Sequence, residues 1–100
     1  MIDFGKILGF QWDNGNLSKS MEKHGVTPRA AERVFLDRRL LVLRDETHSG
    51  AEPRFHAYGE SPQGRKLLVS FTLRDNDTLI RIISARAMSR KERQRYAQDT

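Results

Sequence analysis

Arg74, Arg81 and Arg86 fall in two neighbouring stretches of extended character, KLLVSFTLR (66–74) and TLIRIISARA (78–87). A guanidinium is a planar, permanently charged fork that pairs with phosphate oxygens two at a time. Three of them on adjacent strands could therefore hold a phosphodiester and stabilise charge developing on it. The same side chains could instead be solvated, or paired with Asp45, Glu52 or Glu92. A second candidate is Lys23–His24, followed by Gly25. At a helix C-terminus the negative dipole end favours a cation, which suits a general acid, although the pair could simply cap the helix. His48 and Glu52 lie in the loop-forming segment HSGAEPR (48–54), where either could act as a base or hold the loop by hydrogen bonds. A metal site built from Asp45, His48 and Glu52 matches no familiar ligand spacing, and no metal or other cofactor is expected.

The charge balance points the same way. Eighteen Lys and Arg stand against 13 Asp and Glu, for a net charge of +5 over 100 residues. Such an excess favours a polyanionic partner, because clustered cations displace the counterions of a phosphate chain. Part of the excess sits in one terminal segment, SRKERQRYAQ (89–98), which could be a solvated face, an RNA-attracting surface or a dock for an acidic protein segment. The length fits one domain, residues 1–100, with too small a core to enclose a large cofactor. With 37% hydrophobic and 31% charged residues the chain is expected to fold. Cysteine is absent, which excludes thiol catalysis, disulfides and thiolate metal sites. No stretch approaches the roughly 18 apolar residues of a membrane span. The opening MIDFGKILGFQWD lacks the basic lead-in and apolar core of a secretion signal, so a cytoplasmic location is expected.

These groups need a scaffold, and local patterns supply one. Phe10 and Trp12, two apart, mark a short edge strand over 9–13. A helix over 16–24 should end at Gly25, and Thr27 should cap a second helix with Pro28 in its first position and Ala31, Val34 and Phe35 on its buried side. Four strands follow, LLVLRD (40–45), RFHAYGE (54–60), 66–74 and 78–87, and Ser89 with Glu92 forms a capping box that opens a last helix. The expected fold is α+β: two N-terminal helices, a four-stranded largely antiparallel sheet and a C-terminal helix. DND (75–77) should close a hairpin. With Arg74 opposite Thr78, one face would carry Leu67, Val69, Phe71, Leu73, Leu79, Ile83 and Ala85, and with them Arg81. The other would carry Ser70, Thr72, Arg74, Ser84 and Arg86 among Leu68, Ile80 and Ile82. A slip of one residue would move Arg81 to that polar, cationic face.

WDNGN (12–16) and EKHGV (22–26) resemble the opening signature of the BrnT toxins, a Trp-Asp pair, a helix and then Lys-His-Gly. DETHSGAEPRF (45–55), YGESPQGRKLL (58–68), TLR (72–74), RIISARAMSRKER (81–93) and Tyr96 continue the likeness in order from Phe10 to Tyr96. Ser20 stands where many relatives have Asn, and Phe71 where several carry a polar group. The resemblance implies a RelE-like fold and ribosome-independent, metal-free RNA cleavage that inhibits translation and growth. It also implies neutralisation by an antitoxin similar to BrnA, in a hetero-oligomer that binds operator DNA.

Metal-free RNA cleavage requires removal of the 2′-OH proton, stabilisation of the phosphorane and protonation of the leaving oxygen. In that frame Lys23 or His24 serves proton transfer and Arg74, Arg81 and Arg86 the phosphate. Thr72, Ser84, Arg65 and Tyr96 are candidate RNA contacts, although an aromatic on an otherwise polar terminal helix is more often its anchor to the core. The rival function is a catalytically degenerate toxin that acts with its antitoxin as a co-repressor. An unrelated basic α+β domain that binds nucleic acid without chemistry would require the matched segments to be accidental.

Overall fold

The computed structural model describes residues 2–47 and 50–99, apart from the side chains of Asn14, Asn16, Leu17 and Asp99. In chain order the elements are β1 (Gly9–Trp12), α1 (Asn14–His24), α2 (Pro28–Arg33), β2 (Leu41–Asp45), β3 (Arg54–Glu60), β4 (Lys66–Arg74), β5 (Leu79–Ala87) and α3 (Arg90–Asp99). Single 3-10 turns precede β1 and follow α2.

The sheet has five strands, not the expected four, in the order β1-β5-β4-β3-β2. The addition is β1, which runs parallel to β5 while every other pair is antiparallel. A four-residue segment with two aromatics shows its strand character locally, but not that it will pair with a strand near the other end of the chain. Phe10 and Trp12 point into the core, and the Trp12 indole donates to Glu32 Oε2 at 2.9 Å.

Because β1 covers only Leu79–Ile82 of β5, the rest of that edge needs another partner. α1 provides it. Ser20, buried on the inner side of the helix, accepts the Ala85 N–H at 3.1 Å through its hydroxyl. Its type is thus explained by an edge amide that would otherwise be unsatisfied. Ser20→Ala is expected to destabilise the domain by about 1–3 kcal/mol, the usual cost of a stranded buried amide, read from chemical denaturation. A loss below a few tenths of that range would show that the hydroxyl is dispensable.

The caps are where the sequence predicts them. Gly25 takes φ +62° at the end of α1. Thr27 accepts the Ala30 N–H at 3.1 Å. Ser89 and Glu92 exchange reciprocal bonds of 2.7 and 3.2 Å at the start of α3. α2 tightens into a 3-10 turn at Val34, whose carbonyl and side chain press on Gly59 of β3. A Cβ there would lie 2.8 Å from Val34 Cγ1 and 3.0 Å from its carbonyl oxygen, so only glycine lets the two backbones meet.

Apolar side chains fill both sides of the sheet. Val26, Ala31 and Val34 pack on Ala57, Leu67, Val69, Phe71, Ile80, Ile82 and Ala85. On the other face Tyr58, Leu68 and Met88 meet Tyr96 of α3. That polar helix therefore covers one end of the second face and leaves the rest of it open.

The hairpin register corrects the face assignment. Arg74 pairs with Leu79 rather than Thr78, across a turn in which Asp75, Asn76 and Asp77 all have positive φ. Asn and Asp tolerate that region better than other non-glycine residues, which is why this tripeptide can make the turn. The one-residue change sends Ile80 and Ile82 to the core and Leu79 and Arg81 to the polar face. Further along, Ser70 pairs with Ser84 but Phe71 with Ile82, so Ile83 is a bulge that restores the phase. Ser84, Ala85 and Arg86 consequently lie on the faces predicted for them.

Candidate active site

Alternation along β3 carries Arg54, His56 and Tyr58 to the face opposite the helical core, and along β4 it carries Leu68, Ser70, Thr72 and Arg74 there. His56 pairs with Ser70 on one side and Leu43 on the other, with Asp45 two residues beyond Leu43. The three polar side chains close into a chain across β2, β3 and β4. His56 Nδ1 lies 2.9 Å from Ser70 Oγ, and Nε2 lies 3.2 Å from Asp45 Oδ2. Asp45 is 8% exposed and accepts the Thr47 N–H through its other oxygen. A carboxylate can only accept, so it holds the proton on Nε2 and leaves Nδ1 of the neutral ring to accept from Ser70. An imidazole oriented in this way can take a proton through the hydroxyl and return it. Ser84, exposed, lies across from Ser70 on β5.

None of these three was singled out as a group by sequence reasoning. The alternation of RFHAYGE was the available signal, since it sets His56 and Tyr58 on one face. Which face, and beside which residues of β2 and β4, depends on register.

The predicted site residues are placed unevenly. Arg81 and Arg86 share this face. Arg81 lies 3.4 Å from Asp13. Arg86 forms a two-pronged bridge to Glu92 at 2.7 and 2.8 Å, which joins it to the α3 capping box. That guanidinium, reinforced by the Ser89 amide and hydroxyl, overcomes the effect of burial and holds the Glu92 carboxyl down at about 2. Arg74 sits at the strand end and grips Glu52 with contacts of 2.7 and 3.0 Å. The ion-pair alternative thus describes Arg74 with Glu52 and Arg86 with Glu92, while Arg81 takes Asp13.

Lys23 and His24 are exposed in the last turn of α1, and no hydrogen bond or ion pair ties their side chains to the described residues of the sheet face. Arg65 reaches the same helix end, donating to the Gly25 and His24 carbonyls at 2.9 and 3.4 Å. Thr72, expected to meet RNA, is buried and donates to the Pro53 carbonyl at 2.7 Å. It pins the 50–53 loop instead. Tyr96, also expected to meet RNA, is buried too, with its hydroxyl 2.5 Å from Asp37 Oδ2 and Arg39 stacked over its ring. Burial and the Asp37 carboxylate push that phenol up to about 12, and the ring serves as the anchor of α3. His48 lies outside the described residues; among those described, no three His, Cys, Asp or Glu gather as metal ligands. No helix among them is long and apolar enough to cross a membrane.

No curated protein matches the sequence. The fold is similar to that in the 1.1 Å crystal structure of the Brucella abortus ribonuclease toxin BrnT. The TM-score is 0.64 and the identity 20%, over 83% of this chain and 99% of that one. The family model described as the ribonuclease toxin BrnT of type II toxin–antitoxin systems matches residues 12–92. That match runs from the last residue of β1 to the capping glutamate of α3, and the chain belongs to the BrnT family of ribonuclease toxins.

Proposed function

We propose that the chain is an endoribonuclease that cuts RNA on the open sheet face, without the ribosome or a metal ion, to inhibit translation and growth. The observation that carries this reading is the Asp45–His56–Ser70 chain lying on the same face as Arg81 and Arg86. His56 takes the 2′-OH proton through the Ser70 hydroxyl. The 2′-oxygen attacks phosphorus, the bond to the 5′-oxygen breaks, and the products are a 2′,3′-cyclic phosphate and a 5′-hydroxyl. Arg81 and Arg86 neutralise the phosphorane, exchanging Asp13 and Glu92 for phosphate oxygens. Ser84 and Arg65 contact the flanking chain, and Lys23 or His24, near the end of β5, supplies the proton to the leaving oxygen. Arg74, already gripped by Glu52, serves the phosphate only if that pair opens. In the cytoplasm, an antitoxin similar to BrnA would neutralise the toxin and carry it to operator DNA as a hetero-oligomer.

Purified protein is expected to cleave RNA in excess EDTA. RNA left intact, or cut only when a divalent ion is restored, would refute the mechanism. The carboxylate pairing of all three arginines favours a second reading, a catalytically silent toxin that acts only as co-repressor. Expression without antitoxin separates the two, since the silent protein leaves growth unaffected.

A further inference from the structure

We infer that a second phosphate site lies between α2 and the β3–β4 turn, away from the bond being cut; the inference rests on the endoribonuclease reading above. Arg29 and Arg33, four apart on α2, project from one side of the helix. With Arg65, Gln63, Thr27 and Gly25 they line an open concavity of about 500 Å³.

Charge sets this concavity apart. Arg44, Arg74, Arg81 and Arg86 each hold a carboxylate at 2.7 to 3.4 Å. Arg29 and Arg33 have no such partner among the described residues. Arg65 is positioned by the His24 and Gly25 carbonyls at the end of α1, whose partial negative charge offsets its own only in part and supplies no carboxylate. Three converging positive charges repel one another and are relieved by an anion. Planar guanidinium forks match phosphate oxygens.

The lining also discriminates among anionic partners. It holds no aromatic and no large aliphatic side chain. Protein interfaces are centred on such anchors, and base recognition on single strands uses aromatic stacking. A lining of three arginines with the polar Gln63 and Thr27, and no ring for a base to stack on, suits the backbone phosphate and positions the chain. It lies on the helical side of the sheet, five residues before Ser70, or roughly 16 Å along an extended strand. RNA must therefore pass the end of the sheet to occupy both sites.

The test uses a 12-nucleotide RNA methylated at every 2′-oxygen, which can bind but not be cut. Arg29→Ala/Arg33→Ala changes two exposed positions to the best helix former, so the thermal midpoint should hold. Each phosphate contact on a single strand contributes about 0.7 to the slope of log K against log salt. The double variant should therefore bind about tenfold more weakly, with the slope reduced by about 1.4, and Arg29→Lys/Arg33→Lys should recover most of that slope. Unchanged affinity and slope would overturn the site. So would a polyglutamate peptide that competes for it better than RNA. Wild-type protein that binds the 12-mer through these arginines yet never cuts unmodified RNA would overturn the endoribonuclease reading alone. Failure to bind RNA at all would overturn both.

Discussion

Replacing His56 by alanine should lower RNA cleavage by about 10²- to 10⁴-fold, the range that a positioned acid–base group contributes. The ring lies on the open face, 28% exposed, between groups on two other strands. Its loss leaves Asp45, 8% exposed, without its imidazole partner, so some destabilisation accompanies the change. The pH profile of kcat/KM separates the two effects. The wild-type protein should show a limb that belongs to the imidazole, and the variant should lose that limb while residual activity stays flat. Ser70→Ala should keep the limb at a reduced rate, because the ring remains but the hydroxyl that hands it the proton is gone. A His56→Ala enzyme with wild-type rate and profile would exclude the imidazole from the chemistry.

Asp37→Ala should cause the largest loss of stability. One carboxyl oxygen accepts the Arg39 N–H at 2.9 Å; the other accepts the Glu60 N–H at 2.7 Å and the Tyr96 hydroxyl at 2.5 Å. It thus joins the end of the α2 segment, the end of β3 and α3. Burial opposes its charge, but the Tyr96 hydroxyl and the two backbone amides win and hold its carboxyl below the usual range. Deleting it strands a buried hydroxyl and an amide at about 1–3 kcal/mol each, roughly 3 kcal/mol in all. For a domain of this size that lowers Tm by about 15 °C. A shift of less than about 3 °C would show that these bonds are replaced by water.

The same network predicts acid sensitivity. Glu92 is depressed from 4.5 to about 2, and Asp37 is depressed from 3.8. A carboxyl whose folded pKa lies below its unfolded value stabilises the fold fully above the unfolded value. That contribution disappears as pH falls through the folded one, here between about 4.5 and 2 for Glu92. Arg86 is 40% exposed, so solvent screening leaves on the order of 1–2 kcal/mol for the pair. Arg86→Met should flatten that part of the stability profile.

What the sequence determined by itself lies within a few residues of its cause. Gly25, Thr27 and the Ser89–Glu92 box mark helix ends because capping bonds join residues up to four apart. Period-two alternation set Ser70, Thr72 and Arg74 on one side of their own strand, and the ordered segments from Trp12 to Glu92 carried the family. Tertiary structure decided the rest. The pairing of β1 with β5 joins distant segments, and no local pattern encodes it. The position of Arg81 turned on a one-residue difference in a turn that Asp75, Asn76 and Asp77 close with positive φ, and the Ile83 bulge then reversed the slip. A period of two makes each such step exchange the faces. Thr72 read as a surface group because burial depends on what packs above it, whereas Tyr96, alone among polar neighbours on its helix, already offered itself as an anchor. The Asp45–His56–Ser70 chain needed three strands in register, and the carboxylate partners of Arg74, Arg81 and Arg86 needed the loop, α1 and α3 to be in place. The chemistry of each residue was legible in its type; which residues meet was a property of the folded sheet.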